Sequence, residues 1–304
     1  MLRELGDVVV APPGAGADDW RAGIRGADAL VSLLTDRVDG ALMDAAGPSL
    51  RVIGQVAVGY DNVDVAAARA RGIVVTHTPG VLTESVAEFT WALIFAITRR
   101  LVEGDRLLRR GGWKGWALDF LPGMELSGKQ LGIVGAGRIG RAVARRAAAF
   151  GVTPVFAARA GATAGTIDGH AVMSFDELLV SADIVSLHVP LTPATKHLVD
   201  KRVLARMRRS AFLINTARGP VVDEEALAWA LGEHLIAGAA LDVYEREPAV
   251  HPALLPLENV VLAPHLGSAT VGTRTKMGMI AVDNLLAVCM GQCPPNCVNP
   301  EVLG

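Results

Sequence analysis

The sequence predicts an α/β protein built on a doubly wound parallel sheet, with a smaller α/β layer ahead of it. Apolar runs of strand length alternate with helix-length segments from Leu131 to Ala263. A glycine-rich turn joins the first of these strands to a helix, and it lies near the middle of the 304-residue chain, so a sizeable segment must fold into something else before it.

The elements follow in order. Ala29–Leu34, Leu50–Val58 and Gly72–Thr76 are apolar strand candidates, separated by Asp36–Ala46 and Val63–Arg71, whose patterning is helical. Glu84–Arg110 reads as one long helix, started by Thr83 as N-cap and stopped near Gly111 and Gly112. Its middle is apolar almost all round, which places it inside, between domains. Past the glycine turn, Asp183–Val189, Ala211–Thr216, Ile236–Val243 and Asn259–Ala263 read as strands, and Asp200–Met207 and Asp223–Leu231 as helices. Ala160–Thr166 is a Gly/Ala-rich bend, and the last helix, Thr273–Met290, leads into a Pro-rich tail expected to return to the first domain. The expected domains are residues 1–98 with 286–304, and residues 99–285. Two crossings between them would leave a cleft with a hinge.

From Leu131 to Ala158 the chain reads LGIVGAGRIGRAVARRAAAFGVTPVFAA, with Gly135, Gly137 and Gly140 at G-x-G-x-x-G spacing between a strand and a helix. The first glycine permits the tight turn, the second lets backbone approach a pyrophosphate, and the third lets helix pack on strand, so the anion meets the helix's positive end. A dinucleotide is the expected ligand. An acid about 20 residues further on would bond the ribose hydroxyls of NAD, whereas a 2′-phosphate needs a cation. No acid occurs between Glu125 and Asp168, and the second strand ends Phe156-Ala157-Ala158-Arg159. Arg159 therefore favours NADP(H), with NADH the weaker alternative; its competing role is a strand-end cation in water.

Composition sets bounds. The chain is 51% hydrophobic and 20% charged, ample for buried cores, and a formal charge of −2 offers no basic footprint for nucleic acid or an anionic membrane. The longest apolar stretch, Val86 to Ile97, is interrupted by Glu88 and falls short of the ~20 residues that span a bilayer. The opening MLRELGDVVV lacks a basic-then-apolar signal design, so a cytoplasmic chain is expected. Cys289, Cys293 and Cys297 recur at intervals of four without a fourth ligand nearby, and they read as a helix residue and two free thiols, with no metal.

In parallel α/β sheets ligands meet the carboxyl ends of strands, so polar residues just past apolar runs carry the chemistry. His77, His188 and His265 all follow strands, although a lone strand-end histidine is more often structural. Two further strand ends read Ile214-Asn215-Thr216-Ala217-Arg218-Gly219, with a permanently charged fork, and Leu241-Asp242-Val243-Tyr244-Glu245-Arg246-Glu247-Pro248, with carboxylates. With VAVGYDNVD (56–64), TPGVLTESVAE (78–88), GAGRIG (135–140) and APHLGSAT (263–270), they make the chain resemble the D-2-hydroxyacid dehydrogenases, and among them the glyoxylate/hydroxypyruvate reductases, from about Asp28 to Asn299.

The resemblance implies a Rossmann-type sheet plus a flavodoxin-like substrate domain, and NADPH-dependent reduction of small 2-oxo acids to 2-hydroxy acids. It implies that Arg218 holds the substrate's carboxylate and carbonyl oxygen, that His265 is the acid/base and that Glu247 is its paired acid. Val58 and Gly59 match the loop whose N–H groups hold the carboxylate. Arg138, Ile139, Val189, Pro190, Thr216, Ala217, Asp242 and Gly267 match cofactor-lining positions. A homodimer is implied, with the long helix and the Gly111–Met124 arm at the interface, and Trp116 as the residue approaching a neighbour's substrate site. Trp113, Trp116, Phe120 and Leu121 make that arm apolar, and packing on their own subunit is the alternative. Other readings are an NAD-linked dehydrogenase of another D-2-hydroxy acid, and a dinucleotide-sensing binding protein on the same fold. The chemistry is self-consistent: hydride addition builds charge on the carbonyl oxygen, a protonated imidazole neutralises it, and a neighbouring carboxylate favours that imidazolium. Against the family's pattern the amino terminus looks short, with only Leu2–Leu5 before Val8–Val10, and His77, Cys293 and Cys297 are unusual choices to which no role is assigned.

Overall fold

Parallel strands need crossovers, and most of the helices that supply them here are started by short polar side chains, the helix after the glycine turn being the exception. The computed structural model describes residues 6–12, 16–158 and 165–304. The chain forms two units, residues 1–82 with 270–304, and residues 83–269.

The first unit contains α1 (Ala17–Gly23), β1 (Ala29–Ser32), α2 (Gly40–Ala46), β2 (Val52–Gln55), α3 (Val65–Ala70) and β3 (Val74–Thr76), together with the chain's last helix, Val271–Cys289. The strands form a parallel sheet in the order β1-β2-β3. Asp39 and Asp64 accept the N–H groups of Leu42 and Ala67 at 3.0 and 2.8 Å, so α2 and α3 begin just after these caps and not at Asp36 or Val63. Val52, Val74 and Leu285 pack together, seating the last helix on this sheet. Leu2–Leu5 lie outside the described residues; Val8–Val10 form no strand, and β1 is an edge with Val31 and Leu33 exposed. Cys289 ends the last helix, and all three cysteines are free thiols.

The second unit contains α4 (Thr83–Thr98), α5 (Leu101–Arg109), β4 (Gln130–Val134), α6 (Arg138–Ala147), β5 (Thr153–Ala157), β6 (Gly165–Ile167), β7 (His170–Met173) and α7 (Phe175–Ser181). It continues with β8 (Ile184–Leu187), α8 (Lys201–Arg206), β9 (Phe212–Asn215), α9 (Glu224–Gly232), β10 (Gly238–Leu241) and β11 (Val260–Leu262). Its sheet runs β11-β10-β9-β8-β4-β5-β7-β6, parallel except for the β6–β7 hairpin. Successive strands lie to one side of β4 and then to the other, which is the doubly wound plan. Leu131, Ile133, Phe156 and Ile184 are fully buried in its core.

Three expectations change. The helix over Glu84–Arg110 is two helices: Arg100 is left-handed at φ 52° and forks onto Glu103 with two 2.7 Å bonds. The Thr98 carbonyl, which a continuing helix would have used, accepts the Met124 N–H at 2.8 Å instead. α4 is buried against β9, β10, β11 and α6, whereas α5 buries no residue. Both unit boundaries consequently fall sixteen residues earlier than expected, at 82 in place of 98 and at 269 in place of 285. Each long helix joins the sheet that its own apolar face covers, α4 the second and the last helix the first. Finally, α1, the β6–β7 hairpin and α7 were not anticipated; α7 starts with a capping box in which Ser174 and Glu177 satisfy each other's N–H groups.

Candidate active site

Register assembles the site in the second unit. Val134 pairs with Leu187, Leu187 with Asn215, Asn215 with Leu241 and Leu241 with Leu262, so five strands end on one line. The residues that follow therefore leave the sheet along a single edge: Gly135, Val189 and Pro190, Thr216 to Arg218, Asp242, and His265. The strand order reverses between β4 and β8, and it is there that a ligand meets an open α/β sheet.

The glycine turn lies at that reversal. Gly135 has φ 111°, and a Cβ on it would stand 2.6 Å from the His188 carbonyl carbon, so the turn and the His188–Pro190 segment can only be this close without a side chain there. A Cβ on Gly140 would meet the Gly135 oxygen at 2.1 Å, which makes the third glycine a packing requirement between α6 and β4. At Gly137 a Cβ would meet nothing within 4 Å. The fold itself does not demand glycine at that position; the bare backbone leaves room over the start of α6, which no side chain caps. Open space above an uncapped helix N-terminus fits a pyrophosphate. Arg138 is exposed and Ile139 half-buried beside it, and Arg141 steadies the turn by donating Nε to the Ala136 carbonyl at 2.9 Å. Arg159 lies outside the described residues.

Asn215 shapes the next strand end. Its side chain accepts the Ala217 N–H at 3.1 Å and donates to the Arg218 carbonyl at 3.0 Å, clamping the turn that presents Arg218. A Cβ on Gly219 would fall 1.8 Å from the Tyr244 carbonyl carbon, so glycine is needed for this turn to lie against Tyr244 and Glu245. Thr216 is buried, 3.1 Å from the Thr90 hydroxyl of α4.

His265 and Glu247 meet. His265 Nδ1 lies 2.9 Å from Glu247 Oε2, and the other carboxylate oxygen accepts the Tyr244 N–H at 3.0 Å. Burial pushes the Glu247 carboxyl up, but the bonds from His265 and Tyr244 and the charge of Arg218 outweigh it and hold the group below its ordinary value. An ionised carboxylate only accepts, so Nδ1 carries a proton and Nε2 is the atom left to exchange one. The backbone that carries the ring is held by Asp242, whose buried carboxylate accepts the N–H groups of Leu266 and Gly267 at 2.6 and 2.8 Å, while its carbonyl accepts that of His265 at 3.0 Å. These bonds sustain a left-handed backbone at His265, φ 53°. Burial raises the Asp242 carboxyl above its ordinary value despite the two N–H bonds.

Neighbouring histidines are occupied differently. His188 Nε2 pairs with the Ser186 hydroxyl at 2.9 Å, and burial pushes its ring down to about 4, leaving it neutral near pH 7. Val58 and Gly59 belong to the first unit, in the loop after β2, and Trp116 is 81% exposed on the arm after α5. Asn215 and Arg141 are supporting residues that sequence reasoning passed over; a buried asparagine at a strand end was the available signal for the first. Among the described residues no three His, Cys, Asp or Glu side chains gather as for a metal, and no helix is long and apolar enough to cross a membrane.

A doubly wound sheet with this glycine turn at its reversal is the architecture of a dinucleotide-binding protein. Residues 91–267 match the family model of the D-isomer specific 2-hydroxyacid dehydrogenase, NAD binding domain. The glyoxylate reductase of Thermofilum pendens is 50% identical, covering 100% of this chain and 91% of its own length, and that of Korarchaeum cryptofilum is 50% identical over 92% and 85%. Among solved structures, a protein from Thermus thermophilus superposes with a TM-score of 0.89 at 47% identity, over 98% of this chain and 94% of the other. The NADPH-dependent glyoxylate/hydroxypyruvate reductase of Sinorhizobium meliloti, in complex with NADP and malonate, gives 0.81 at 39%, over 94% and 86%. The chain belongs to the D-isomer specific 2-hydroxyacid dehydrogenase family, the NAD(P)-dependent 2-hydroxyacid dehydrogenases and reductases.

Proposed function

We propose that this protein reduces glyoxylate and hydroxypyruvate to their 2-hydroxy acids with NADPH, giving the (R) product where a stereocentre forms. The observation that carries the reading is the 2.9 Å His265–Glu247 pair on the same sheet edge as Arg218 and the glycine turn. The names of the Thermofilum and Sinorhizobium relatives support the substrates, and the second of them supports the cofactor. Gly135, Gly137, Arg138, Ile139 and Gly140 would hold the pyrophosphate, and Val189, Pro190, Thr216, Ala217, Asp242 and Gly267 would line the remainder. Arg159 is assigned to the 2′-phosphate. The bound nicotinamide supplies a hydride.

The chain's own residues do the rest. Arg218 binds the carboxylate and carbonyl oxygen of the 2-oxo acid through its two-pronged guanidinium, which fixes the keto carbon. His265 Nε2 gives its proton to the carbonyl oxygen as charge builds there, and Glu247 steadies the imidazolium until it does. In the first unit, the N–H groups of Val58 and Gly59 are assigned to the carboxylate. The exposed Trp113, Trp116 and Phe120, beside an α5 without buried residues, support a homodimer in which Trp116 reaches the partner's substrate, and a cytoplasmic location follows the same reading.

A steady-state assay crossing NADPH and NADH with a panel of small 2-oxo acids tests this. NADPH consumption with glyoxylate and hydroxypyruvate is expected, and none with any acid in the panel would remove the proposal. Arg159→Asp should cost NADPH more than NADH; a ratio of the two kcat/KM values that moves less than about threefold would take the phosphate from Arg159. A monomer in light scattering would remove the dimer.

A further inference from the structure

His77 has no task in the reaction described above, yet its ring is built into the first unit. It follows β3 directly, and its main chain is fixed on both sides by the returning carboxyl-terminal segment: its N–H donates to the Asn296 carbonyl at 3.2 Å, and the buried Asn284 amide donates to its carbonyl at 3.3 Å. So anchored, the ring brings Nδ1 to 2.9 Å from the Val58 carbonyl oxygen. A carbonyl only accepts, so Nδ1 is the donor. The ring also meets Tyr60 edge-on, centroids 5.6 Å apart and planes at 84°.

The consequence lies one bond further along. The peptide joining Val58 to Gly59 is planar and trans, so its C=O and N–H point in opposite directions. Holding the carbonyl toward His77 therefore aims the Gly59 N–H away from it. Gln55 acts likewise on the next peptide: its amide donates to the Gly59 carbonyl at 3.4 Å and to Asn62 at 2.8 Å, and its oxygen accepts the Ser32 hydroxyl at 2.6 Å. Val58 and Gly59 are half-buried, yet among the described residues neither of their N–H groups has a partner. Two adjacent N–H groups without a protein partner are open to an anion.

We infer that His77 is a positioning residue for substrate capture: by holding the Val58 carbonyl it orients the Gly59 N–H toward the carboxylate of the 2-oxo acid. It acts on KM and leaves the hydride and proton steps alone. The inference rests on the assignment of Val58 and Gly59 to that carboxylate.

A matched set of variants of the full chain tests it with glyoxylate and NADPH. His77→Asn keeps an N–H donor near the position of Nδ1, while His77→Leu fills similar space without one. The leucine variant should raise KM for glyoxylate roughly tenfold, with kcat within about twofold of the parent and NADPH affinity, read by fluorescence titration, unchanged. His77→Asn should bring KM back to within about threefold of the parent. His77→Met, a second donor-free side chain, is read in the same way if the leucine variant does not fold. A KM unmoved without the donor overturns the inference, and so does an equal rise in the asparagine and donor-free variants. A joint loss of kcat, NADPH affinity and KM marks a general structural role and overturns it too. A parent that reduces no 2-oxo acid overturns the carboxylate assignment as well, whereas an active parent with an unmoved KM in His77→Leu removes only the positioning role.

Discussion

Two histidine–glutamate pairs lie in the second unit, and their acids are two residues apart in the chain. His265 meets Glu247 through Nδ1 at 2.9 Å, and His197 approaches Glu245 through Nε2 at 2.8 Å. In the first pair one carboxylate oxygen meets the ring and the other takes the Tyr244 N–H, and the acid also feels Arg218, so Nε2 is left outside the pair. In the second, the approach is too poorly aligned for a hydrogen bond, and it is an ion pair only when His197 is protonated. Glu245 is instead locked to α9: Glu224 and Glu245 exchange bonds from N–H to carboxylate at 3.3 and 2.7 Å. The same two residue types thus make a hydrogen-bonded pair in one place and a loop anchor in the other. What separates them is which ring nitrogen is consumed and what else the carboxylate holds.

Breaking each pair in turn should give the widest contrast. His265→Ala is expected to lower kcat by about a thousandfold with NADPH affinity near normal, while His197→Ala should keep kcat within about threefold and lower the melting temperature. Steady-state kinetics, an NADPH titration and a thermal melt read all three. Next in size, Arg218→Lys should raise KM for the 2-oxo acid roughly fiftyfold, because an ammonium cannot reproduce the two-pronged contact, and a KM at the parent value would detach Arg218 from the substrate.

The two acids are then separated by pH. The Glu247 carboxyl is held below its ordinary value, so it is charged across the neutral range and favours the protonated ring. Glu247→Gln removes that charge, and reduction, which needs the proton, should fail at a lower pH than in the parent while keeping most of its activity in acid. Glu245→Gln should leave that limb in place. A profile of kcat/KM against pH that moves with Glu245 and not with Glu247 would reverse the assignment.

The smallest effect is on stability, and its sign differs between Glu247 and Glu224, the acid bonded to Glu245. Because folding lowers the Glu247 carboxyl, its contribution is present above the ordinary value of 4.5 and lost as the pH falls through the folded value. Burial raises the Glu224 carboxyl, so its contribution is present below 4.5 and lost as the pH rises through the folded value. Glu224→Gln, which keeps an acceptor for the Glu245 N–H, should raise the melting temperature at neutral pH by about 1–2 °C. A fall there would show the charge to be stabilising.

Much of the candidate site was legible because it lies in short windows. The glycine turn, Thr216-Ala217-Arg218 and Ala263-Pro264-His265 each follow an apolar run, and a strand end is a local property of hydrophobic patterning. The break at Arg100 was not legible, since α4 ends where the Thr98 carbonyl turns to Met124, a partner 26 residues away. Nor was the task of His77, whose ring reaches across 19 residues to the Val58 carbonyl.

By itself the sequence determined the alternation of strands and helices, the helix starts at Asp200 and Asp223, the glycine spacing and the stock of acids, cations and imidazoles. Those depend on periods of 2 and 3.6 residues and on caps three residues away, all within reach of a local reading. The alignment of five strand ends and the sheet that each long helix covers were decided only in three dimensions. Parallel register joins segments far apart in the chain, and burial then leaves each polar group whichever partner the register has brought within hydrogen-bonding distance.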